Sequence, residues 1–304
     1  MPGGGYKMFD IKDILRILIS FLLGITLIFF QTILFLDVVL LNPMTYFEYA
    51  NTPAYYDKLR EQIDFGLEEV GRFTNIPGEL ITQSVTDVEI KNYTQTAISD
   101  MIGFLRGNSK DYNLKFDTST IKNNIEGYMK DYLSQRNQSY SQEEVNQVEE
   151  ITKMAGDRID TYTMIIDPAL LKQVGADKAL QQVFSKIQLA EFILGVLILL
   201  MVFFLWLTNK HHRMRTLWWT GSALLVSSIV LLIPGITVKI MNVAGRIGLT
   251  DNYVSRVLQQ SINELLTKWN FIQLSFLSIG ILLMVGYLGY RSHRKKASKD
   301  YRES

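Results

Sequence analysis

The apolar residues of this 304-residue chain are gathered into four long runs, with polar and charged sequence between them. The first runs from Ile17 to Leu36 and continues apolar to Leu41. The second runs from Leu189 to Leu207, the third from Leu217 to Ile236 and the fourth from Phe271 to Tyr290. A spanning helix needs about 20 mostly apolar residues, because each adds about 1.5 Å across roughly 30 Å of hydrocarbon. All four runs meet that length. Lipid offers no partner to a free N–H or C=O, so each run predicts a helix that satisfies its own backbone. Asp37, Asn42 and Pro43 follow the first run where a cleaved leader would carry small residues, so it reads as an uncleaved anchor.

The pattern therefore predicts an all-α integral membrane protein with four transmembrane helices and a large helical extracytoplasmic domain inserted between the first two. The boundaries follow the runs: a cytoplasmic segment over 1–16, the first span over 17–41, the inserted domain over 42–188 and the second span over 189–207. A cytoplasmic loop over 208–216 leads to the third span, 217–236. A second extracytoplasmic segment occupies 237–270, the fourth span 271–290 and a basic cytoplasmic tail 291–304.

Within 42–188 the signals are helical and no strand pattern stands out. Pro53 opens a predicted helix that runs to about Gly71, and Pro77-Gly78 marks a turn. Thr86 and Glu89 have capping-box spacing, and Ile90, Ala97, Ile98, Met101 and Leu105 follow at helical intervals. Gly107 ends that element. Asp117 to Ser119 caps another, with Ile121, Ile125, Tyr128, Met129, Tyr132 and Leu133 as its stripe. Ser141 to Glu144 is a second capping box, and Asp167-Pro168 opens a further helix. Leu180, Val183, Phe184 and Ile187 run into the second span without a breaker, which predicts one continuous helix from domain to membrane. In 237–270, Val254, Val257, Leu258, Ile262, Leu265 and Leu266 form an amphipathic stripe, expected to pack on the acidic domain or to lie on the leaflet.

Charge supplies the orientation. Lys7, Lys12 and Arg16 precede the first span. Lys210, Arg213 and Arg215 fill the short loop, and Arg291, Arg294, Lys295 and Lys296 begin the tail. By the positive-inside rule these flanks are cytoplasmic, so both termini are inside and the protein is a multi-pass plasma-membrane protein. Asn42 to Gln188 carries 15 basic and 22 acidic residues, net −7, and falls outside. Trp206, Trp218, Trp219 and Trp269 lie at the predicted interfaces, where indole rings are favoured. The chain has no cysteine, so an outer domain without disulfides points to a bacterial cell envelope.

Candidate chemistry is sparse. His211, His212 and His293 all fall in the cytoplasmic flanks, and adjacent His211 and His212 point in different directions on a helix. The predicted outer domain contains no histidine, which excludes a Ser–His–Asp triad or a typical zinc site there. No phosphate-binding or dinucleotide fingerprint occurs, and no cofactor is expected. The basic-side pieces of about 16, 9 and 14 residues leave no room for an output domain. Three polar positions in or beside the spans are functional candidates: Gln31 deep in the first, Asp37 near its outer end and Glu191 at the start of the second. Gln31 is expected to bond across the bundle, and Asp37 to pair with Lys239 or Arg246.

Two sequence echoes suggest a parallel duplication of helical hairpins. Ile187-Gln188-Leu189 and Ile272-Gln273-Leu274 open spans two and four, and Gly195 and Gly280 share the same offset.

The expected function is non-enzymatic: an interaction, scaffold or accessory subunit acting through the acidic outer domain. Its expected partners are the lipid bilayer and a membrane or extracytoplasmic protein, or a second copy of itself. A net charge of +1 gives no reason to expect nucleic acid. The alternative is an oligomeric channel or transport subunit with its polar lining from span one.

Overall fold

The structure is a computed structural model that describes residues 11–50, 52–109, 112–164, 168–210, 212–241 and 252–303. It is all-helical, and the described residues contain no strand. Helix α1 (Ile11–Phe35) passes into a π-helical turn, Leu36–Leu40. Eight helices follow: α2 (Pro43–Ala50), α3 (Pro53–Thr74), α4 (Gly78–Thr82), α5 (Asp87–Leu105), α6 (Ser119–Gln135), α7 (Gln142–Thr163), α8 (Pro168–Gln173) and α9 (Ala176–Phe184). The chain ends with α10 (Ile187–Thr208), α11 (Arg215–Ile240) and α12 (Asn252–Glu303). It divides into two compact units, one formed by residues 1–40 with 186–304 and the other by 41–185.

The first unit contains four helices long and apolar enough to cross a membrane. Its surface is an inversion of a soluble protein. Phe21, Phe192, Leu199, Phe271 and Leu282 are all exposed, a continuous apolar exterior that water would not tolerate and lipid requires. The interior is small: Leu23 and Leu27 of α1 meet Leu205 of α10 and Ala223 and Leu224 of α11. With hydrocarbon outside, close packing replaces the hydrophobic effect as the force between helices. Gly221 and Gly280 bring two backbones close together. A Cβ added at Gly221 would lie 2.8 Å from the Gly280 carbonyl oxygen, and one at Gly280 would lie 3.0 Å from the Gly221 oxygen. Gly24 and Gly195, in the other hairpin, show no such approach; Gly195 has only a Phe30 ring carbon at 4.0 Å. The shared offset of Gly195 and Gly280 thus hides two different packings.

Three expectations change here. The third span, expected to close at Ile236, lies on a longer helix: α11 passes through Pro234 and runs to Ile240. Proline removes one internal hydrogen bond, which a helix survives when neighbours re-satisfy the backbone. Trp269 Nε1 donates to the Leu231 carbonyl three residues earlier, at 3.0 Å. The amphipathic stretch of 237–270 is not a separate helix. It is the first part of the 52-residue α12 that continues as the fourth span. Its Ile262, Leu265 and Leu266 face Phe35 and Val238 around a space of about 320 Å³; the side chains of Val254, Val257 and Leu258 lie outside the described residues. Finally, the helix expected to run unbroken into span two is interrupted by turn residues Ser185 and Lys186.

The second unit has its own core. Ile63 and Leu67 of α3, Ile81 of α4, Ile90 of α5, Ile121 and Ile125 of α6 and Ile151 and Ile159 of α7 are all buried together. A second cluster joins Met101, Phe104 and Leu105 to Leu171, Leu180 and Phe184 of α8 and α9. The predicted caps form. Thr86 and Glu89 close a capping box on α5, and Ser141 and Glu144 close one on α7. Asp117 accepts from Ser119 N at 3.0 Å at the start of α6. Asp167, the expected cap of α8, lies outside the described residues. Gly107 takes the left-handed conformation (φ 78°) just after α5, where L side chains are disfavoured.

Candidate functional site

The candidate residues of the four-helix unit fall in three levels along the bundle. At mid-depth, Gln31 of α1 is fully buried, and its Nε2 donates to Ser227 Oγ of α11 at 3.0 Å. Ser227 and Ser228 in turn donate to the Leu224 carbonyl at 3.0 and 2.7 Å, which saves each hydroxyl from being orphaned in an apolar interior. Gln273 of α12 belongs to the same level. The edge-on ring pairs Phe30–Phe276 (6.4 Å) and Phe35–Trp269 (4.9 Å) bracket Gln31 and Gln273 from either side. Gln273 is also fully buried, and neither atom of its amide has a hydrogen-bond partner among the described residues; Gln31 Oε1 lacks one too. In the sequence, Gln273 stands out only within the Ile-Gln-Leu echo. The signal that singled out Gln31, an amide inside an apolar run, applied equally to it.

One end of the bundle gathers the basic residues. Arg16 donates to Asp13 and to the Thr208 carbonyl, both at 2.6 Å, so it caps the C-terminus of α10 as well as marking a flank. Arg213 stacks over the Trp206 ring at 4.4 Å. Arg294 of α12 lies 3.4 Å from His212 Nδ1. Lys210, Arg215 and Arg291 are exposed at this end, and Lys295 and Lys296 continue α12 beyond it. The three basic flanks are therefore together in space. His211 lies outside the described residues. Among the described residues no group of three His, Asp or Glu side chains is placed to hold a metal ion.

The other end holds the acids. Asp37 sits half-buried in the π-helical turn, which packs against α10, and Glu191 is half-buried on α10. Lys239 donates to Thr267 Oγ1 at 3.2 Å across the α11–α12 hairpin. Arg246, the other expected partner of Asp37, lies outside the described residues.

In the second unit, several carboxylates are tied into structural contacts. Arg60 pairs with Asp64 (2.9 Å) and Asp87 (3.1 Å), and also donates to the Thr82 and Val85 carbonyls. That one guanidinium ties α3 to the α4–α5 connection. Asp160 of α7 is buried and accepts from the Tyr93 hydroxyl at 2.5 Å and from Phe116 N at 3.0 Å, fixing the strandless stretch before α6. Burial pushes the Tyr93 phenol well above its ordinary range, and the bond to Asp160 adds to the shift. Burial, then Asp100 and Asp160, push Tyr112 to about 12. A phenol locked in its protonated form is a donor to a buried carboxylate and a poor proton-transfer group.

The surface of this unit shows one feature that its core does not use. Phe65 and Phe73 of α3 are 58% and 76% exposed. Phe65, Glu69 and Phe73 repeat at four-residue intervals and so line one stripe of the helix. Arg72 lies over the Phe65 ring at 5.8 Å, and Glu69 pairs with Arg158 of α7 at 3.0 Å.

Compared with known protein families, with characterised proteins and with solved structures, the chain matches none.

Proposed function

We propose that this is a multi-pass membrane protein that holds a self-folding acidic helical unit on the outer side of a bacterial plasma membrane, where the unit binds a protein partner. The observation that carries the reading is the α3 stripe. A unit with its own closed core leaves two phenylalanines of one helix in water, with an arginine stacked on the first. Exposed aromatics flanked by charge are the composition of interaction hot spots. The acidic balance of the segment, net −7 over 42–188, suits a partner with basic residues around an apolar centre.

The orientation rests on the basic end of the bundle. Arg16, Arg213 and Arg294 meet there, and positive flanks are retained on the cytoplasmic side. Within the bundle unit, Leu40 ends the π-helical turn and Lys186 precedes α10, at the opposite end of α10 from the Thr208 carbonyl that Arg16 caps.

The alternative, a channel or transport subunit built from several copies, draws on the polar mid-level. Gln31 turns its amide inward to Ser227 of the same chain, so a pore between copies would take its lining from other residues.

One experiment tests both parts. A photo-crosslinking residue replaces Phe73 in intact cells, with Asn137 as a control site, and single cysteines at Asn137 and His212 report sidedness to a membrane-impermeant maleimide. The expected result is a discrete protein adduct at position 73, lost on Phe65→Ser and absent at 137, with labelling at 137 and none at 212 until the membrane is opened. Equal adducts at both sites, or labelling of 212 in sealed cells, overturns the proposal.

A further inference from the structure

The four-helix unit contains a lateral crevice that its packing leaves open. Helix α10 lies along α1 and meets α11 near their short connection, where Thr216 Oγ1 approaches the Leu205 carbonyl at 3.5 Å. Further along, α10 stands apart from α11 and α12, and a space of about 690 Å³ separates them. Its floor is Leu23, Leu27 and Phe30 of α1; its walls are Phe192, Val196 and Leu199 of α10 and Leu224, Phe276 and Ile279 of the α11–α12 hairpin. The volume falls in the range of small-molecule sites, about 300–1,000 Å³. The α10 wall runs from Gln188 to Leu199, about 16 Å at 1.5 Å per residue. Gly195 lies in the middle of that wall, and the nearest atom to an added Cβ there is 4.0 Å away. The absent side chain is what opens the groove at half its length.

The ends of the crevice differ. One end closes at the α10–α11 connection. The other carries the polar Gln188 and Glu191, and the π-helical turn that follows α1 packs on α10. A long apolar groove in a membrane-spanning bundle, closed at one end and carrying the Glu191 carboxylate at the other, has the shape of a chain and the charge complement of a cation.

We infer that the crevice binds the acyl chain of a membrane lipid whose headgroup carries a primary amine, with Glu191 receiving the ammonium. A headgroup whose only charge is negative, such as a glycerol phosphodiester or a free carboxylate, meets repulsion from Glu191. This inference is independent of the partner proposed for the helical unit, since none of its residues belongs to α3.

The test uses the full chain in nanodiscs of phosphatidylcholine, doped with either a phosphatidylethanolamine or a phosphatidylglycerol that bears a photoreactive diazirine near the middle of one chain. Crosslinked peptides are mapped by mass spectrometry. The amine lipid is expected to label Phe192, Val196 and Leu199 severalfold more than the glycerol lipid does. Phe271, exposed on the outer face of α12, should be labelled equally by both. Glu191→Gln should bring the crevice ratio towards one while labelling of Phe271 holds. Gly195→Leu should fill the groove and remove the excess. If that variant fails to fold, the Glu191→Gln ratio decides. Equal labelling of crevice and outer face, no preference between headgroups, or a preference unmoved by Glu191→Gln overturns the inference.

Discussion

The close backbone approach of Gly221 and Gly280 supports a quantitative prediction. In Gly221→Ala the new methyl would lie 2.8 Å from the Gly280 oxygen, 2.9 Å from Met284 Cγ and 3.2 Å from Leu283 Cβ. Two of the three obstacles sit on or next to backbone, so a rotamer change does not relieve them, and α12 must recede by roughly 0.5–1 Å. A gap of that size forfeits about a quarter to a half of each van der Waals contact along the seam. Overpacking of this kind costs about 1–3 kcal/mol. Against it stands the helix preference for alanine over glycine, about 1 kcal/mol. The control removes that term. Gly286, on α12 itself, has nothing within 4 Å of an added Cβ, so Gly286→Ala collects the helix preference without the clash. The expected difference between the two variants is therefore the overpacking alone, about 1–3 kcal/mol in favour of Gly286→Ala. Unfolding in mixed micelles, followed by the fluorescence of Trp206, Trp218, Trp219 and Trp269, measures it, since all four indoles belong to the bundle unit. The double variant Gly221→Ala with Gly280→Ala should cost less than the sum of the singles, because one separation of the helices accommodates both methyls. Equal stabilities for Gly221→Ala and Gly286→Ala, within about 0.5 kcal/mol, would refute the view that this contact sets the spacing of α11 and α12.

Two further outcomes are expected. Gln273→Leu removes a buried amide whose two polar atoms lack partners among the described residues, and a buried unsatisfied group costs about 1–3 kcal/mol, so the same unfolding assay should show the variant at least as stable as the parent; a loss beyond about 1 kcal/mol would reveal a bond to that amide. Tyr93→Phe takes one of two donors from buried Asp160 and should cost about 1.5–3 kcal/mol at neutral pH, read by thermal unfolding in circular dichroism. Tyr93 holds its proton more tightly folded than unfolded, so its stabilisation is complete below pH 10, the ordinary phenol value, and drains away as pH rises above it. Tyr56 and Tyr112, each pushed to about 12, bring the same alkaline loss to both proteins, so the gap between parent and variant should narrow above pH 10. A gap that stays constant with pH removes Tyr93 from the alkaline response.

What could be read from the sequence was what neighbouring residues decide. The four spans are legible because lipid demands about 20 mostly apolar residues in a row, whatever lies beside them. The capping boxes of Thr86 with Glu89 and Ser141 with Glu144 are legible because donor and acceptor are three residues apart. The stripe of Ile121 and Ile125 is legible because one turn of helix brings them to one face. Even the basic end was visible, since charge sorts by the side of the membrane on which each flank is retained.

Tertiary structure decided the rest, and in each case the deciding atom came from a distant part of the chain. The third apolar run closes just past Pro234, and the helix carries on through that proline beside an indole 35 residues further on. Arg16 looked like an orientation charge and also closes the end of α10. Gly195 and Gly280 looked equivalent; one opens a groove and the other seals a seam, because a glycine's meaning depends on what stands opposite its missing side chain. Gln31 and Gln273 were both amides in apolar runs, and only the register of α1 against α12 put them at one depth. Local rules determine which segments are helices and which of them suit a membrane. Burial, pairing and empty space are properties of surfaces brought face to face, and those depend on contacts between residues that the linear order keeps far apart.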